Sequence, residues 1–177
     1  MTHFVKGMSS HQRTNPLSED WLTPPEIVRE LGPFDLDPCA SCSQLHDMNG
    51  TMQGIGARRY CKCDNGLEKT WEGFVWMNPP YGPAIGAWMA KLAKHGNGIA
   101  LVFARTETGW FQDCVFRTAK ALFFVAGRIR FYQPDGTPGN YTGGAPSVFA
   151  AYGDLAVDRL RGLKMRGCLV RLGSEEA

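Results

Sequence analysis

The chain has 177 residues, 44% of them hydrophobic, which is enough for one well-packed core and short for two. Its 19 basic and 17 acidic side chains nearly balance, so no global field marks a nucleic-acid or membrane-surface binder; such contacts have to rest on local patches. No apolar run approaches the roughly 20 residues that span a bilayer, and the first residues lack the apolar core of a secretory signal. A cytoplasmic protein with six reduced cysteines is therefore expected.

Residues 1–20 are polar and without periodicity and read as a flexible arm, leaving 21–177 as one domain. "TPPEIVREL" places Thr23 at an N-cap and prolines where a first turn accepts them, so a helix is expected to Leu31, stopped by Gly32-Pro33. "FDLDP" is a short strand, Ser41 to Ala57 is irregular, and "ARRYC" and "FVWMN" are further strands. Ile85, Trp88, Met89 and Leu92 follow helical spacing up to Gly96. "GIALVFAR" is continuously apolar, as buried parallel strands are. Next come a helix over "GWFQDCVFRTAK" with Thr108 as N-cap, a strand over "ALFFVAG", and "RIRFYQ" with strand-like alternation. Pro134 to Pro146 is a glycine- and proline-rich loop. "SVFAAYG" is a strand, "DLAVDRLRGLKMRG" a helix with a solvated basic end (Arg159, Arg161, Lys164, Arg166), and "CLVRL" a last strand.

Alternating strands and helices imply an α/β fold: a mostly parallel central sheet with helices on both faces, and an antiparallel strand late in the chain. Ligands of such sheets sit beyond the carboxyl ends of the strands. That rule lines up Asp37, Asn78 and Arg105 on one rim.

The residues ending the third strand, Asn78-Pro79-Pro80-Tyr81, are unusual for a turn. The prolines fix the backbone, so the Asn78 carboxamide oxygen and the Pro79 carbonyl become two aimed acceptors. An exocyclic amine carries two hydrogens and satisfies both, while Tyr81 offers a flat face to its ring. The plainer reading is a rigid turn in which Asn78 caps the next helix and Tyr81 is core.

This motif resembles the [D/N/S]-P-P-[Y/F/W] signature of S-adenosylmethionine-dependent methyltransferases acting on amino nitrogens. "TPPEIV", "FDLDPCAS", "DNGL", "TWEG", "FVWMNPPYG", "ARTETGWF" and "GRIRF" follow in the order found in small phage-type DNA N6-adenine methyltransferases, from about Trp21 to Gly153. The resemblance implies a Rossmann-like class I methyltransferase fold without a separate target-recognition domain, and methyl transfer to adenine N6 in DNA. The base would be flipped from a duplex or taken from a single strand. It also implies a phage or restriction–modification setting.

Asn78, Pro79, Pro80 and Tyr81 are then the catalytic residues, and Thr23, Asp37, Pro38, Cys39, Ala40, Asp64 and Asn78 the S-adenosylmethionine site. Within that set Asp37 pairs with the ammonium, Asp64 with the adenine amine and Thr23 with the carboxylate. The usual glycine-rich loop is replaced by "DPCASCS", with Ala40 at the turn, and only Asp47 is a candidate for the ribose hydroxyls. Arg105, Arg128 and Arg130 are candidate phosphate ligands, and Phe131 is a second stacking face or a core residue.

Methylation of cytosine N4 or of a glutamine amide poses the same demands on the pocket. A different class of reading rests on Cys39-x2-Cys42 and Cys61-x-Cys63 with His46 between, near zinc-ribbon spacing. It describes a zinc-stabilised nucleic-acid-binding module without catalysis. Cys39 lies inside the cofactor motif, which competes with metal binding, so no metal ligand is assigned. Cys114 and Cys168 read as buried small apolar residues.

Overall fold

The computed structural model describes residues 21–42, 55–133, 136–139 and 143–173. The expected arm, His46, Asp47 and parts of the 134–146 loop lie outside these residues. Seven strands form one sheet: β1 (Phe34–Asp37), β2 (Gly56–Arg59), β3 (Val75–Met77), β4 (Gly98–Phe103), β5 (Ala121–Val125), β6 (Ser147–Tyr152) and β7 (Gly167–Arg171). Their order is β2-β1-β3-β4-β6-β5-β7. Pairings from β2 to β4 are parallel, while β6 runs antiparallel to β4 and β5, and β7 antiparallel to β5. The expected late antiparallel strand is thus two strands, β6 and β7.

Helices cover both faces because side chains of successive strand residues point to opposite sides. Trp76, Ile99, Leu101, Phe123 and Phe149 pack with Ile27 and Leu31 of α1 (Pro25–Leu31) and with Ala156, Val157 and Leu160 of α4 (Asp154–Arg161). Val75, Met77, Ala100, Val102, Val148 and Ala150 pack with Trp88, Met89 and Leu92 of α2 (Ile85–His95), and with Phe111 of α3 (Gly109–Phe111). The spacing of Trp88, Met89 and Leu92 therefore identified the buried face of α2. That helix stops at Gly96, whose φ of 73° is left-handed and whose N–H donates to Leu92 O at 2.9 Å.

Several local expectations are corrected. Thr23 is not the cap of α1; Pro24 holds that position, and no side chain caps it. Thr108 is the N-cap of α3 as expected, although its hydroxyl donates to Arg105 O at 2.7 Å and makes no side-chain cap bond. The expected twelve-residue helix is one α turn followed by a π turn over Gln112–Phe116. "RIRFYQ" is no sheet strand, because its hydrogen bonds go elsewhere. Tyr132 exchanges bonds with Leu22 (2.9 and 2.8 Å), while Ile129 O and Phe131 O accept from Gly143 N–H and Gly139 N–H at 3.0 and 2.8 Å. α4 ends at Arg161, and the Lys164 N–H leaves to meet Glu30 Oε2 at 3.0 Å. Lys164 and Arg166 therefore lie beyond the helix. Cys168 is exposed on the edge strand β7, and Cys114 is only half-buried.

Candidate active site

The chain runs from β1 outward to β2, then crosses back to β3 on the other side of β1. Connections leaving β1 and β3 thus diverge, opening a crevice at their carboxyl ends. Asp37 ends β1, Asn78 follows β3, and Arg105 follows β4. The rim expected from sequence is present.

Asn78 is anchored on one side and open on the other. Its Nδ2 donates to the Thr23 hydroxyl at 3.4 Å, and Thr23 is buried at 3% exposure. Its Oδ1 is buried and has no hydrogen-bond partner among the described residues. Leaving a buried acceptor unpaired costs about 1–3 kcal/mol, so such an atom calls for a ligand that donates. Asn78 does not cap α2, whose cap position is Ala84, without a side-chain bond. The plainer reading of the turn therefore fails at Asn78.

Tyr81 is not core either, since 45% of its surface is exposed. One face of its ring stacks on Phe103 with centroids 4.2 Å apart and planes at 17°. Phe103 is the last residue of β4, the strand beside β3. Sequence reasoning missed it as a site residue because the ring looks like any apolar strand residue until the two strand ends are neighbours. Of the two readings open for Phe131, a second stacking face or a core residue, the structure shows the core role: it is buried with Ile129.

Asp37 is 3% exposed, and its Oδ1 accepts the Cys39 N–H at 3.2 Å. Burial pushes its carboxyl up to about 7, against the opposing pull of that N–H and of Arg59. Cys39 lies between Asp37 and the backbone N–H of Asn78, and burial beside Asp37 raises its thiol well above the ordinary range. Pro38 and Ala40 are buried, and the loop is pinned to the β2 side by Tyr60 N–H to Asp37 O and Ala40 N–H to Tyr60 O, both 2.9 Å. A carboxylate, a carboxamide and an aromatic ring thus share one crevice, built from β1, β3 and β4.

A family model described as DNA N-6-adenine-methyltransferase (Dam) matches residues 10–153. The chain belongs to that family. No curated protein and no solved structure matches it. The family fixes the acceptor as adenine N6 in DNA over cytosine N4 or a glutamine amide, and makes the protein a catalyst that needs a methyl donor. The match begins inside the segment expected to be a loose arm and ends just before α4.

The methyltransferase spends its other expected site residues less uniformly. Arg105 is exposed on the crevice rim. Arg128 and Arg130 are also exposed, but each already braces the following loop, donating to Gly143 O at 3.1 Å and Gly139 O at 2.7 Å. Asp64 is exposed and accepts the Cys61 N–H at 2.9 Å, which holds its acid below the usual carboxylate range. Its turn role is therefore real, and its side chain also bonds that of Cys61. A depression lined by Asp35, Ala57, Arg58, Glu72 and Gly73 lies at the amino ends of the strands, on the opposite rim from Asn78. Among the described residues no helix is long and apolar enough to cross a membrane.

Proposed function

We propose that this DNA adenine methyltransferase takes its methyl group from S-adenosylmethionine and acts on an adenine presented outside the base stack. The observation that carries the reading is the Asn78 carboxamide, whose buried Oδ1 lacks a partner while Thr23 holds its Nδ2. The lone pair of adenine N6 is delocalised into the ring, which makes it a poor nucleophile. Asn78 Oδ1 and the Pro79 carbonyl accept its two N–H bonds, favouring a more tetrahedral nitrogen with its lone pair directed at the methyl. Pro80 keeps the turn rigid, so the acceptors need no reorganisation during reaction.

Tyr81, backed by Phe103, stacks on the adenine ring. Asp37 fits the ammonium of the methyl donor: it is a buried carboxyl with a raised pKa, and a cation would restore its charged form. Pro38, Cys39 and Ala40 shape the loop beside it, and Asp64 receives the donor's adenine amine. When bound, the donor supplies an electrophilic methyl on sulfonium, and orientation provides much of the acceleration. The methylated nitrogen is acidic and releases its proton to solvent, so no strong base is required. Arg105, Arg128 and Arg130 hold phosphates, and residues 21–177 act as one cytoplasmic catalytic domain.

Transfer of labelled methyl from S-adenosylmethionine to DNA, followed by nucleoside analysis, tests this. The label is expected in N6-methyladenine, and Asn78→Ala is expected to lower kcat by about a hundredfold or more, the scale of losing one preorganised polar partner. Full turnover in that variant would overturn the pocket, and unlabelled DNA the choice of donor.

A further inference from the structure

A second cluster lies just beyond the loop that carries Asp37. The sulfurs of Cys42, Cys61 and Cys63 all lie within 4.8 Å of one another. They come from two stretches: Cys42 follows the β1 loop, while Cys61 is the N-cap of the one-turn 3-10 helix Lys62–Asp64 after β2 and Cys63 lies within it. Cys39, which the sequence spacing paired with Cys42, is drawn away into the crevice by Asp37 and Asn78.

The side chains of Cys42 and Cys61 are hydrogen-bonded to each other, and backbone donors converge on the same point. Backbone N–H groups of Lys62 and Cys63 point at the Cys42 sulfur, and the Cys63 N–H also points at that of Cys61. The Asp64 N–H closes on the Cys61 side chain, while the Asp64 carboxylate accepts the Cys61 N–H and fixes the turn. Converging N–H donors form a concavity for negative charge. Cys63 is exposed and Cys42 half-buried, so apolar packing does not account for three thiols at one point. Three sulfurs this close offer a soft donor set that suits zinc, which binds them as thiolates with release of their protons.

We propose that Cys42, Cys61 and Cys63 bind a zinc ion that staples the β1 loop to the turn after β2, with water or a further side chain completing the tetrahedron. Zn–S bonds of about 2.3 Å set tetrahedral sulfurs about 3.8 Å apart, so the three need to close by about 1 Å at most. The ion is structural, because none of its three ligands is among the crevice residues Asp37, Cys39, Asn78 and Tyr81. It secures the open end of a loop whose near end is already held by the two backbone bonds between Tyr60 and the Asp37–Ala40 segment.

The test uses the full chain, prepared without a histidine tag and under reducing conditions. Metal analysis is expected to give one zinc per chain. Titration of the chelated protein with cobalt chloride should give thiolate-to-metal charge-transfer and tetrahedral d–d absorption. Cys63→Ser, an exposed position whose loss leaves the core intact, should weaken zinc binding more than about a hundredfold. Cys168→Ser, on the edge strand, should leave it unchanged. Full reactivity of all six thiols in the presence of zinc chloride would overturn the proposal. So would a Cys42–Cys61 disulfide in the freshly purified chain, or wild-type zinc affinity in Cys63→Ser. These readouts do not involve DNA or methyl transfer, so failure here is separable from failure of the proposed mechanism.

Discussion

Asp37 couples stability to pH in the direction opposite to an ordinary surface carboxylate. Its folded pKa is about 7 against 3.8 for a free side chain, chiefly through burial. Between these values the folded chain keeps a proton that the unfolded chain releases. Stability therefore falls as pH rises across that window, by a total of roughly 4 kcal/mol. Asp37→Asn removes the burden: its Tm should match wild type near pH 4 and exceed it increasingly toward pH 8. Added S-adenosylmethionine should reverse the order for wild type alone, raising its Tm more at pH 8 than at pH 6. A Tm difference that does not change with pH would contradict the buried carboxyl, and equal stabilisation of the variant would contradict the ammonium partner. Asn78 shows the same trade in another form, since an unpaired buried acceptor is a cost that only a donating ligand removes.

At the level of elements, the site depends on how loops are tied to the sheet. Gly66 follows the 3-10 turn and lies against β1's end so closely that a Cβ would sit 2.0 Å from Pro38 O. No other residue allows the two backbones to meet there. The same loop turns its carbonyls toward α2, where Lys91 Nζ donates to Leu67 O at 2.6 Å and Lys69 O at 2.5 Å. The ammonium also lies 5.0 Å from the Trp71 ring centroid, and partial burial lowers its pKa. Lys91→Met keeps the stem and removes these bonds; urea unfolding should show a loss of about 1–3 kcal/mol. Because the loop borders Pro38, the variant should also bind S-adenosylmethionine more weakly while keeping its secondary structure, checked by calorimetry and circular dichroism. The misjudged "RIRFYQ" belongs at this scale too. Its alternation is genuine, since Ile129 and Phe131 are buried and Arg128 and Arg130 exposed, but its backbone pairs with a loop and with Leu22.

For the whole molecule, the sheet order places Asn78, the Asp37 loop and Arg105 on one rim, so the proposed function has DNA and methyl donor approach from the same end. With nearly balanced overall charge, the proposed DNA contacts rest on local guanidiniums such as Arg105. Arg105→Gln should weaken binding to unrelated DNA sequences alike and reduce the slope of log K against log salt by about 0.9, leaving Tm unchanged. Arg130→Gln should lower Tm as well, because its guanidinium also holds Gly139 O. An unaltered salt slope in both variants would move the DNA path to another face.

The sequence by itself determined the α/β layering, the buried face of α2 and the family. Those signals are local: apolar runs, helical spacing, and an NPPY motif whose prolines constrain the chain wherever it sits. It also marked Asp37, Asn78 and Arg105, because strand ends are readable from where apolar runs stop. Only the tertiary structure decided what those residues touch. Thr23 holds Asn78 across 55 positions of chain and caps no helix. Phe103 backs Tyr81 because β4 lies beside β3. Cys42 joins Cys61 and Cys63 and leaves Cys39 to the crevice. Side-chain partners of this kind follow from strand order and loop closure, which periodicity does not encode.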